Sequence, residues 1–117
     1  MTITQRDFSG VIVLEVHGRM TIEVEHTVLA EKVRELLQQE HKDILVNIAD
    51  VPYVDTSGLC DFVEAYLACT RREAHLKFAC LTPKVRRVLV ITKLLTVFEA
   101  YESEAEALAS FGSGAAA

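Results

Sequence analysis

The chain has 117 residues, half of them apolar, with 12 Lys and Arg against 17 Asp and Glu for a formal net charge of −5. That length and apolar content suit one domain around one core and exclude a largely disordered chain. The acidic balance argues against nucleic acid as a direct partner, and no apolar run approaches the roughly 20 residues of a membrane span. The start, Met1-Thr2-Ile3-Thr4-Gln5-Arg6-Asp7, lacks the basic-then-apolar layout of a signal peptide. A cytoplasmic protein without membrane insertion is the expectation.

In chain order, residues 2–7 alternate, with Ile3 pointing inward, and Asp7-Phe8-Ser9-Gly10 carries turn residues. Val11-Ile12-Val13-Leu14-Glu15-Val16 is apolar enough to be a strand covered on both faces. The short turn before it makes the first strand its antiparallel partner, at the edge of the sheet. Gly18-Arg19-Met20-Thr21 ends that strand, with Thr21 placed to cap a helix over about 22–39. Val28, Leu29, Val33, Leu36 and Leu37 supply its apolar stripe.

Ile44-Leu45-Val46-Asn47-Ile48 reads as a central parallel strand, closed before Pro52. Val51, Tyr53 and Val54 are expected to tuck against the core, and Asp55 to turn outward. A second helix follows over about 57–72, with Leu59, Phe62, Val63, Tyr66, Leu67 and Thr70 at helical spacing. Leu76 to Cys80 is another strand. Thr82 and Pro83 open a third helix as cap and first residue, and Val97 to Tyr101 forms a last short strand. Ser103 and Glu106 have capping-box spacing for a terminal helix through Leu108 and Phe111. The expected fold is α/β: a single domain over residues 1–111 with a mixed sheet of four to five strands, covering helices, and a loose tail over 112–117.

Chemistry is sparse. Cys60, Cys69 and Cys80 make no close pair and are expected to be buried thiols rather than a zinc or redox set. His17, His26, His41 and His75 fall in other elements than Thr56 and Ser57, and no nucleophile elbow, phosphate loop or dinucleotide fingerprint occurs. No enzyme, cofactor or metal is expected. Asp50 and Asp55 flank the loop after the central strand, but two carboxylates are few for a cation, and Asp50 can hold the turn locally. Lys84, Arg86, Arg87 and Lys93 form a basic face, either a solvated surface or the rim of a protein interface that steers a partner.

The one stretch that combines hydroxyls with a helix start is Asp55-Thr56-Ser57-Gly58. Its simplest use is structural, with Thr56 or Ser57 as cap and Gly58 permitting a close approach. Its functional use is a modifiable hydroxyl. Phosphorylation there adds about −1.5 to −2 charges and three acceptor oxygens, which a helix start tolerates and an acidic partner does not.

The run from Ile44 through Asp55-Thr56-Ser57-Gly58-Leu59 resembles the central block of STAS domains, in particular the bacterial anti-sigma factor antagonists. Leu81 to Leu89 is similar to the helix after the fourth strand of that family, and the likeness extends from Ile3 to about Leu108. The resemblance implies that Thr56 is the phosphoacceptor of a partner that is both kinase and anti-sigma factor. It further implies that Thr21, Asp55, Thr56, Ser57, Gly58 and Lys93 belong to the partner surface, and that a phosphatase resets the switch. The protein would act as a monomer or weak homodimer. Two positions depart from the family pattern: Thr21 stands where an acidic residue is common, and Lys93 where a Gly is common. The STAS fold also serves unswitched adaptors, such as a subunit of lipid-transport ABC systems or a stress-signalling scaffold. A nucleotide- or small-ligand-sensing domain is a further alternative, resting on the helix start alone.

Overall fold

The computed structural model describes residues 2–20 and 28–115, side chains 112–115 excepted. Five strands form one sheet in the order β1-β2-β3-β4-β5: Thr2–Phe8, Val11–His17, Asp43–Asp50, His75–Ala79 and Glu99–Tyr101. β1 is antiparallel to β2, and every other pairing is parallel. The mixed sheet with an antiparallel edge is as expected. Ser9 and Gly10 both have positive φ, 53° and 90°, as a two-residue hairpin loop of mirror type requires. β1 accordingly runs on through Phe8, one residue past its expected end.

Helices connect the parallel strands: α1 (Val28–Gln38), α2 (Thr56–Arg71) and α3 (Pro83–Ile91), with α4 (Glu104–Ala115) after β5. The described part of α1 begins at Val28, and Thr21, expected as its cap, lies outside the described residues. α4 continues to Ala115, past Phe111 where its end was expected.

Strand alternation sorts the core into two layers. Ile12, Leu14, Val16, Ile44, Val46, Ile48 and Phe78 face α1, α2 and α3. Val11, Val13, Leu45 and Ala79 face α4, where Ala107 and Phe111 cover them. Phe62, Phe78 and Phe98 pack in sequence with tilted rings, centroids 5.1 and 5.0 Å apart, joining α2, β4 and the approach to β5. The buried face of α2 is Gly58, Asp61, Phe62, Ala65, Ala68 and Cys69. It is rotated from the expected one: Leu67 is 40% exposed and Thr70 is exposed, while small residues lie inside. The reason is proximity. α2 packs closely on α1, and Ala65 and Ala68 fit that contact where larger side chains do not.

The side chain of Thr82 does not cap α3. Its hydroxyl donates instead to the Val51 carbonyl at 3.0 Å, tying the start of α3 to the loop after β3. On the α4 face, Arg6 donates to Glu15 at 2.7 Å and to Glu104 at 2.6 Å, and Asn47 donates to Glu104 at 3.0 Å. These bonds fix the start of α4 over β1, β2 and β3.

Candidate functional site

Two loops meet at the carboxyl ends of β2 and β3. Gly18 N–H donates to the Asp50 carbonyl at 3.0 Å, Met20 N–H to the Tyr53 carbonyl at 3.1 Å, and Asp55 N–H to the Met20 carbonyl at 3.1 Å. Met20 and Val54 form a parallel bridge, and both are buried. Val51 is buried too, but Tyr53 is 44% exposed, a correction to its expected place in the core. Alternation along this extended loop puts Tyr53 on the side opposite Val54.

Asp55 does not simply turn outward, and neither Thr56 nor Ser57 is the cap. Asp55 is the cap residue of α2: its Oδ1 accepts from Ser57 N at 2.9 Å and Gly58 N at 3.2 Å. A carboxylate in that place also meets the positive end of the helix, which favours Asp over a hydroxyl. Thr56 is the first residue of α2 and is exposed, while Ser57 is half-buried. Gly58 is buried against the other loop. A Cβ built there would lie 2.4 Å from the Met20 carbonyl oxygen and 2.9 Å from Met20 Cβ. The expected close approach at Gly58 is therefore a backbone-to-backbone contact.

The structure thus brings Asp55, Thr56, Ser57 and Gly58 together with Met20 on one rigid corner. Thr21 lies outside the described residues. Lys93 stands just beyond α3, whose opposite end carries the Thr82–Val51 bond. A nine-residue helix separates the two, roughly 14 Å at 1.5 Å per residue. Lys93 adopts φ 64° and ψ 13°, the left-handed conformation that suits Gly and costs other residues roughly 1–2 kcal/mol.

Sequence reasoning missed Asp61. It is 2% exposed, and its carboxylate accepts from Leu29 N at 3.0 Å and Ala30 N at 2.8 Å, at the start of α1. Burial pushes its carboxyl above the ordinary range, opposing those two amide bonds, with Glu64 and Glu31 adding to the rise. The available signal was an acidic residue on the same helical face as Phe62 and Ala65.

His17 also has a partner: its Nδ1 lies 2.7 Å from Asp50 Oδ2, so Asp50 holds the end of β2 rather than a turn of its own. Among the described residues no group of three or more His, Cys, Asp or Glu could hold a metal ion. Of the three cysteines only Cys69 is buried, with its thiol pushed up to about 11 by burial, while Cys60 is exposed, a correction to the buried set expected. Cys60 lies on α2 two residues past the Gly58 contact, on the opposite side of the helix.

Residues 2–107 match the STAS domain family, and the chain belongs to it. STAS domains are regulatory and non-catalytic. The fold is similar to that of an anti-sigma factor antagonist from Mycobacterium paratuberculosis, at 20% identity over 93% of this chain and 92% of that one, with a TM-score of 0.82. It is similar to the Bacillus cell fate determinant SpoIIAA in its phosphorylated form, at 14% identity over 94% and 99% of the chains, with a TM-score of 0.71. A sulfate transporter family protein from Wolinella succinogenes shares it too, at 17% identity over 87% and 84%, with a TM-score of 0.71. These likenesses establish the shared fold.

Proposed function

We propose that the protein is an anti-sigma factor antagonist, switched off by phosphorylation of Thr56. Its partner is an anti-sigma factor with serine-threonine kinase activity, bound through Asp55, Thr56, Ser57 and Gly58, with Thr21 and Lys93 as further contact residues. It acts in the cytoplasm, and a phosphatase restores the binding form. The observation that carries this is the position of Thr56: an exposed hydroxyl at the first residue of α2, on a corner whose backbone is pinned by Met20.

The chemistry of release follows from the cap. Asp55 already occupies the Ser57 and Gly58 amides. A phosphoryl group on Thr56 therefore projects outward and adds about −1.5 to −2 charges beside a carboxylate. The positive end of α2 offsets part of that charge, so the domain keeps its fold while its surface turns repulsive to an acidic or close-packed partner. The same occupied amides argue against a nucleotide or other anion at this helix start, since it would displace Asp55. The basic side chains Lys84, Arg86 and Arg87, all exposed on α3, suit the steering of an acidic partner.

The test is affinity capture of partners from the native extract with wild type, Thr56→Ala and Thr56→Glu, each bait then weighed intact. A kinase-type ATPase retained by wild type and lost by Thr56→Glu, with one phosphate on wild type and none on Thr56→Ala, is the expected result. A transporter ATPase held equally by all three, with no added phosphate, would replace the switch with an unswitched adaptor.

A further inference from the structure

At the end of the molecule where α1 and α2 finish, a cleft of about 210 Å³ opens between the two helices, lined by Arg34, Leu37, Gln38, Ala68, Arg71 and Arg72. Three of the six lining residues are arginines and none is acidic, on a chain of net charge −5. The ordinary use of arginines at such a place is to neutralise the last carbonyls of the helices. Here the backbone does most of that work. Glu40 and Glu73 adopt positive φ, 68° and 56°, so that each chain end folds back on its own helix. His41 N–H returns to the Leu36 carbonyl at 3.1 Å, and Ala74 N–H to the Cys69 carbonyl at 2.8 Å.

Of the three guanidinium groups, only that of Arg72 serves a carbonyl among the described residues, donating from one Nη to Leu37 at 3.2 Å. Arg34 forms a loose, half-exposed ion pair with Glu64, 3.8 Å away. Arg71 has no hydrogen bond or ion pair among the described residues. Among the described residues the cleft thus holds one unengaged guanidinium and two others that each make one contact and keep donors to spare. Each guanidinium carries five N–H donors in a planar fork, which matches oxyanions two bonds at a time.

We propose that this cleft is a binding site for a small phosphate-class oxyanion, with Arg71 and Arg34 as its principal donors and Gln38 at its edge. The volume admits inorganic phosphate or pyrophosphate. The site is independent of Thr56 and of the partner reading, so either stands if the other fails.

The experiment is NMR titration of the intact chain with inorganic phosphate and, separately, with pyrophosphate, following arginine Nε–H resonances. Sodium chloride at matched ionic strength is the control. Saturable shifts in wild type are expected, with affinity at least about tenfold weaker in Arg71→Gln and in Arg34→Gln, the loss of one charge-assisted pair of bonds. Lys84→Gln, which alters the basic face of α3, should bind as wild type does. Tighter binding of pyrophosphate than of phosphate would assign the site to diphosphate-bearing ligands, and equal binding to a single phosphate group. Shifts that grow linearly without saturation, that chloride reproduces, or that survive Arg71→Gln overturn the proposal.

Discussion

A hydrogen atom in place of a methyl group at Gly58 lets the first turn of α2 lie against the Met20 backbone. The atoms a Cβ would meet are the carbonyl and Cβ of Met20, whose positions are set by the backbone and cannot rotate away. Gly58→Ala should therefore destabilise the domain by about 1–3 kcal/mol, the range for overpacking, as read from urea unfolding. A gain in stability instead, such as the roughly 1 kcal/mol by which an ordinary helix Gly→Ala exchange favours Ala, would mean that the two loops part easily. The Gly was legible as a place of close approach, because small residues at a helix start have few other uses. What it approaches was not, since Met20 lies on a different connection. The capping residue was misassigned for a local reason: Asp55, Thr56 and Ser57 are all good caps, and only backbone geometry separates them.

Between elements, Asp61 joins two helices whose sequences give no sign of each other. Its carboxylate serves amides 32 and 31 residues away, and spacing rules act over one or two turns. Its ionisation should leave a trace in stability. The folded carboxyl lies above its ordinary value of about 4, so the folded chain holds the proton more tightly than the unfolded one. Stability from this group is full below the unfolded value and is lost as pH rises through the folded value. In Asp61→Asn that loss is absent. The stability of wild type relative to Asp61→Asn should fall with rising pH across the carboxyl range and then level off, as measured by urea melts at each pH. A relative stability that rises instead would mean that the two amide bonds outweigh burial. Thr82 teaches a related lesson. Thr-Pro correctly marked where α3 starts, but the hydroxyl was free to serve Val51, because a helix whose first residue is Pro already has one fewer amide to satisfy.

Across the whole molecule, the main core depends on a row of aromatic rings that crosses from α2 through β4 to Phe98. Phe62 is fully buried at one end of that row. Phe62→Ala should cost about 3–5 kcal/mol in urea unfolding, and a cost under roughly 1 kcal/mol would contradict the packing. The central strands were legible because the apolar runs of β2 and β3 are buried on both faces, whereas the ends of the exposed edge strand β1 and of the short β5, which starts at Glu99 rather than Val97, were not. The α2 face was less so: Leu67 and Thr70 fit a helical period as well as Ala65 and Ala68 do, and only the nearness of α1 decides between them. The strand order carries a consequence for how the chain assembles. Each strand pairs with its neighbour in sequence, so no strand has to be inserted between two already placed. The sheet can grow in the order in which a ribosome delivers it, with each crossover helix folding down before the next strand arrives. The bond from Arg6 to Glu104 spans 98 residues. It can close only once α4 has been made, so α4 settles over Val13 and Leu45 after the strands beneath it are available.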